Sequence, residues 1–141
     1  MKYDDASWHY GGDFPAHLPA EAGSTHIAMF VVWCLLNDLG GDLHLEDFRE
    51  DFEDLKNREL TPGVWFRRCC DEKFTDEDLS DLGNEFARYY YDSEDPPYNA
   101  VYEVILCGNI ESIYEVPDTW YSFDTLSPAI VKDYDLWRGD A

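Results

Sequence analysis

Ten consecutive apolar residues, "IAMFVVWCLL" (Ile27 to Leu36), constrain this chain more than any other stretch. The run is too short to cross a bilayer, which takes about 20 apolar residues. In water it must therefore be buried. Ile27, Phe30, Val31, Cys34 and Leu35 recur at helical spacing, and Met29, Val32, Trp33 and Leu36 fill most of the other side. A helix apolar nearly all round belongs at the centre of a fold. Ser24 or Thr25 supplies its N-cap, and Gly40 a stop after about Leu39.

The flanking segments read as its wrapping. "HLEDFREDFEDLKNREL" (44 to 60) repeats Leu45, Phe48, Phe52 and Leu55 at helical spacing and fills the remainder with carboxylates, predicting an amphipathic helix. Thr61 and Pro62 open a short helix through Val64, Trp65, Cys69 and Cys70. Thr75, with Asp78 three residues on, forms a variant of the capping box, followed by an inner stripe of Leu79, Leu82, Phe86, Tyr89 and Tyr90. Residues 98 to 108 are ambiguous by periodicity and read as a helix stopped at Gly108, with a candidate short strand at 112–116. "TLSPAIVKDYDLWRG" reads as a last helix with Ile130, Val131, Tyr134 and Trp137 inward. Gly11, Gly12, Pro15 and Pro19 make residues 1 to about 22 irregular, pinned by Trp8, Tyr10, Phe14 and Leu18. The expectation is a mainly α fold of about five or six helices, one compact domain over residues 1–141.

Charge narrows the partners. The chain carries 31 Asp and Glu against 10 Lys and Arg, a formal net charge of -21. Such a surplus costs stability through self-repulsion. It makes nucleic acid and anionic membranes poor direct partners, because phosphate contacts need Lys and Arg. The natural counterpart is a basic protein surface, approached by fast, salt-sensitive steering. Solubility alone is the bland explanation, but it needs a far smaller charge. With aromatics at 16% of residues, this is not the composition of a disordered acidic tail. "MKYDDASWHY" has neither the basic nor the apolar region of a secretory signal, so the expectation is a cytoplasmic protein with reduced thiols.

Motifs for chemistry are sparse. His9, His17 and His26 share the N-terminal stretch with Asp4, Asp5 and Asp13, but without metal-ligand spacing, and packing is the simpler role. Cys69 and Cys70 are adjacent, so on a helix their side chains diverge by about 100°. No nucleophile elbow or phosphate loop occurs. "DEKFTDEDLSDLGNE" (71 to 85) is rich in oxygen donors but fails the calcium-loop register: from Asp71, position three is Lys73. No catalytic residue, metal or cofactor is expected. What remains is surface: Glu46, Asp47, Glu50, Asp51, Glu53 and Asp54 first, then Asp76, Glu77, Asp78 and Asp81, with Trp8, His9 and Tyr10 as a contact lip.

The blocks "DDASWHYGGDFP", "THIAMFVVWC", "LTPG", "DEKFTDEDLSDLGNEFARYYY" and "YEVPDTWYSFDTLSPAI" resemble a family of small acidic bacterial proteins classed as a domain of unknown function. The resemblance covers most of the chain. It implies a cytosolic single domain with no established catalytic set. Charge and size add the expectation of an immunity protein that neutralises a cognate bacterial toxin through an acidic surface. The rivals are a small metal-dependent enzyme built on His9, His17 and His26, and a general acidic adaptor for a basic protein.

Overall fold

The computed structural model describes residues 1–10, 14–108 and 112–139 of the chain. It is mainly helical, with one small antiparallel ribbon. Helix α2 (Thr25–Leu36) is the axis: every residue from Thr25 to Leu35 is buried. It packs most closely against α4 (Pro62–Cys70). One apolar cluster joins α2 to Trp65 and Phe66 of α4, to Phe86 and Tyr90 of α5 (Asp81–Tyr90), to Tyr98 and Tyr102 of α6 (Pro97–Tyr102), and to Phe123, Leu126 and Ile130 of α7 (Trp120–Arg138). The all-round apolar helix is central because no orientation of it leaves a face fit for water.

The helix ends three residues earlier than the expected Leu39. Asn37 folds back to donate from Nδ2 to the Trp33 carbonyl at 2.7 Å, and Asp38 takes a left-handed φ of 65°. Gly40 is not the stop; it forms an isolated bridge with Leu79.

The N-terminal segment contains order that its composition hides. Strand β1 (Lys2–Asp5) pairs with β2 (Lys73–Thr75), with Asp4 opposite Phe74 and an irregular register between Lys2 and Asp4. The irregularity buries Tyr3, Asp4 and Asp5 together, where strict alternation would expose one of them. One helical turn, α1 (Ser7–Tyr10), follows. No strand forms at 112–116; Ile113–Glu115 is a 3-10 turn opened by Ser112.

The acidic segment also departs from expectation. Leu43–Asp47 forms a π turn, Phe48 breaks the helix at φ -113° and ψ 40°, and α3 spans only Arg49–Lys56. The i→i+5 turn sets the helical phase back by most of one residue, roughly 100°. Phe52 and Leu55 still face inward, but Phe48 is 41% exposed.

The Thr75–Asp78 capping box forms, but it caps a single 3-10 turn, Asp76–Asp78. Helix α5 begins separately, with Ser80 Oγ accepting from the Gly83 amide. Gly83 is required there, because a Cβ would stand 2.5 Å from the Leu39 carbonyl oxygen. Tyr89, expected inward, is half exposed and stacks on Trp137. Helix α7 starts at Trp120, capped by Thr119, and runs through Pro128. Val131 lies on its outer side.

Candidate functional site

The first acidic segment presents a shallow concavity of about 480 Å³ lined by Glu46, Asp47, Phe48, Arg49, Glu50 and Asp51. Glu46, Asp47, Arg49 and Glu50 are exposed, as is Phe48. Asp51 is half-buried, 3.9 Å from the Arg68 guanidinium, and Glu53 pairs with Lys56 at 3.0 Å. Asp54 is half-buried on the same helix. The expected acidic face is therefore present, and it includes an aromatic side chain, Phe48, that periodicity had assigned to the core.

The second acidic group divides. Asp76, Asp81, Asn84, Glu85 and Arg88 line another concavity, of about 380 Å³. Asp76 Oδ1 lies 3.0 Å from the Met1 amino group, while Glu77 and Asp81 are exposed. Asp78 does not belong to a contact surface: it is 3% exposed, and capping turns it inward. Its Oδ2 accepts from the Thr75 amide at 2.8 Å and its Oδ1 sits 2.7 Å from His44 Nε2.

His44 is fully buried against the Trp65 ring at 4.9 Å. Cys70 Sγ lies 3.8 Å from His44 Nε2 and 3.7 Å from Asp78 Oδ1. A Cys–His–Asp relay would need the thiol and carboxylate on different ring nitrogens. Here both meet Nε2, and Nδ1 has no partner among the described residues. Burial, with Asp78 beside it, pushes the Cys70 thiol far up, the opposite of what a nucleophile needs. The trio clamps the π turn and α4 to the capping turn.

The lip also divides. Trp8 is 56% exposed, with the Lys2 ammonium 5.2 Å over its ring. His9 turns inward instead, because a buried carboxylate waits there. Its Nε2 lies 2.8 Å from Asp4 Oδ1 and its Nδ1 2.8 Å from the Tyr114 hydroxyl. The Tyr10 side chain and Asp13 lie outside the described residues.

Asp4 is thus the hub of a buried polar cluster. Its Oδ1 also accepts from the Asp5 amide at 2.8 Å, and its Oδ2 accepts from the Tyr91 hydroxyl. Burial pushes the Asp4 carboxyl up, but the hydrogen bonds from His9 and Tyr91 and the nearby His26 outweigh it and hold it below the usual range. His26 Nε2 lies 3.7 Å from Asp4 Oδ2, and its Nδ1 has no partner among the described residues. Burial, with His9 adding to it and Asp4 opposing it, pushes His26 down to about 4, so it is neutral at pH 7. His17 does not join; it is mostly exposed, 3.5 Å from Glu115. Of the three grouped histidines, two converge, and the strand ribbon delivers the carboxylate. Spacing alone could not show this, because Asp4 and His26 meet through the pairing of β1 with residues about 70 positions away.

No described helix is long and apolar enough to cross a membrane. Comparison with curated proteins finds no match, and comparison with solved structures finds none. A family model does match, over residues 2–116, a span that holds the Asp4 cluster, the His44 clamp and the acidic concavity. The chain belongs to the family described as domain of unknown function DUF7832.

Proposed function

We propose that this protein works by stoichiometric binding, as an immunity partner that covers the basic groove of a cognate bacterial toxin. The observation that carries the reading is Phe48, 41% exposed in a concavity that it lines together with Glu46, Asp47, Glu50, Asp51 and the single cation Arg49. An exposed aromatic in a concavity is the usual anchor of a protein interface. Carboxylates around it suit Arg and Lys on the other side. The net charge of -21 supplies the long-range attraction. Trp8 and the Glu77 and Asp81 edge extend the same chemistry. Toxins that act on nucleic acids or nucleotides have cationic grooves of the matching kind. An acidic adaptor for an endogenous basic protein is the same reading with another mate; finding a toxin gene beside this one would distinguish immunity from it.

The test is isolation of the natural complex from the native bacterium at low and high salt, then affinity measurement with the purified mate. Phe48→Ala and the triple reversal Glu46→Lys, Asp47→Lys, Glu50→Lys are the informative variants. Each is expected to weaken binding at least 30-fold, the scale of an interface hot spot of about 2 kcal/mol. Unchanged affinity in both variants contradicts the proposal.

A further inference from the structure

We propose that Asp4, His9 and His26 form a binding site for a divalent first-row transition-metal ion such as Zn²⁺, independent of the acidic face. Two imidazoles and one carboxylate are a ligand set used for zinc and for non-haem iron, with at least one position left open. Their donor atoms all lie within 4.8 Å of one another. The separations of 2.8 Å (His9 Nε2 to Asp4 Oδ1) and 3.7 Å (His26 Nε2 to Asp4 Oδ2) straddle the edge of about 3.3 Å that a tetrahedral site with bonds of about 2.0–2.1 Å requires. Side-chain shifts of a few tenths of an ångström would bring these two separations to that edge.

The second observation is His26. It is 4% exposed, yet neither ring nitrogen has a hydrogen-bond partner among the described residues: Nδ1 has none and Nε2 is 3.7 Å from the carboxylate. A buried imidazole with no hydrogen-bond partner among the described residues, set beside a carboxylate, offers a lone pair that a cation can take.

The surroundings fit a loaded site. Metal-bound histidines donate their other N–H to an oxygen. His9 Nδ1 already meets the Tyr114 hydroxyl at 2.8 Å, which can either donate or accept. On binding, His9 Nε2 turns its lone pair to the ion and Nδ1–H donates to Tyr114. The Tyr91 hydroxyl and the Asp5 amide keep the Asp4 carboxylate oriented. The surplus negative charge of the whole chain favours any cation that enters.

That same surplus invites adventitious binding, so the test must discriminate. Untagged protein, stripped with chelator, is titrated with Zn²⁺ by calorimetry and with Co²⁺ by visible absorption, at 0.15 M salt. One ion per chain is expected, with Co²⁺ giving ligand-field bands that Zn²⁺ abolishes. His9→Gln keeps a donor toward Asp4 and is expected to lower affinity at least about 100-fold, more than loss of an outer-shell partner. Tyr114→Phe, a milder change, is expected to lower it about 10-fold. His17→Ala leaves it unchanged. Absence of saturable one-to-one binding overturns the proposal. So does full retention of binding in both His9→Gln and Tyr114→Phe, which places the ion on surface carboxylates.

Discussion

His26 Nε2 stops 3.7 Å short of Asp4 Oδ2, and burial, with His9 adding to it, keeps the imidazole neutral beside an ionised carboxylate. The folded pKa of His26, about 4, lies below its ordinary value of 6.5. Its stabilising effect is therefore fully present above pH 6.5 and is lost as pH falls toward 4. Through linkage this amounts to about 3 kcal/mol. Urea denaturation of the metal-free protein from pH 7 to 4 checks it. The wild type is expected to lose stability across that window, and His26→Gln to show a flatter profile. Asp4, also depressed, adds a further loss below the usual carboxylate range.

Removing the Asp78 carboxylate undoes two things at once. Asp78→Ala frees the Thr75 amide and leaves buried His44 Nε2 with only the weak Cys70 Sγ contact at 3.8 Å. The lost cap costs about 1 kcal/mol and the unsatisfied buried group about 1–3 kcal/mol. Equilibrium unfolding is expected to show a combined loss of about 2–4 kcal/mol, with affinity for the mate unchanged at temperatures where the variant is folded.

Gly83→Ala tests the close approach of α5 to the end of the α2 connection. The added Cβ would meet the Leu39 carbonyl oxygen at 2.5 Å, and backbone cannot rotate away. Overpacking of this kind costs about 1–3 kcal/mol. The gain in helix propensity of about 1 kcal/mol offsets only part of it, so the thermal midpoint is expected to fall.

Asp38 offers the opposite outcome. It is exposed and holds a φ of 65°, a region costing most L-residues about 1–2 kcal/mol. Asp38→Gly removes that strain and one negative charge, while freeing the unfolded chain a little. A rise of about 2 °C in midpoint is expected by calorimetry.

What the sequence discloses follows from how local each determinant is. Helix α2 was legible because ten apolar residues in a row admit one environment. The Thr61 and Thr75 caps were legible because capping acts within three residues. The β1–β2 ribbon was not, since four residues without alternation pair across about 70 positions. Phe48 was misplaced because a π turn carries no composition signal, yet it resets the stripe that follows. The Asp4 cluster was half legible: its histidines and the possible oxygen donor Asp4 are neighbours in sequence. Only the ribbon selects His9 and His26 and sends His17 to Glu115. Asp78 was read correctly as a cap and wrongly as a contact, because capping burial and a partner surface make opposite demands on one carboxylate.

The most direct measurement is hydrogen–deuterium exchange of the natural complex against the free protein. Slowed exchange across residues 46–51, with Phe48 at its centre, is the result predicted here. Slowed exchange confined to the groove that α6 and the π turn Glu103–Cys107 form with α7, around Val104 and Ala129, with residues 46–51 unchanged, contradicts it.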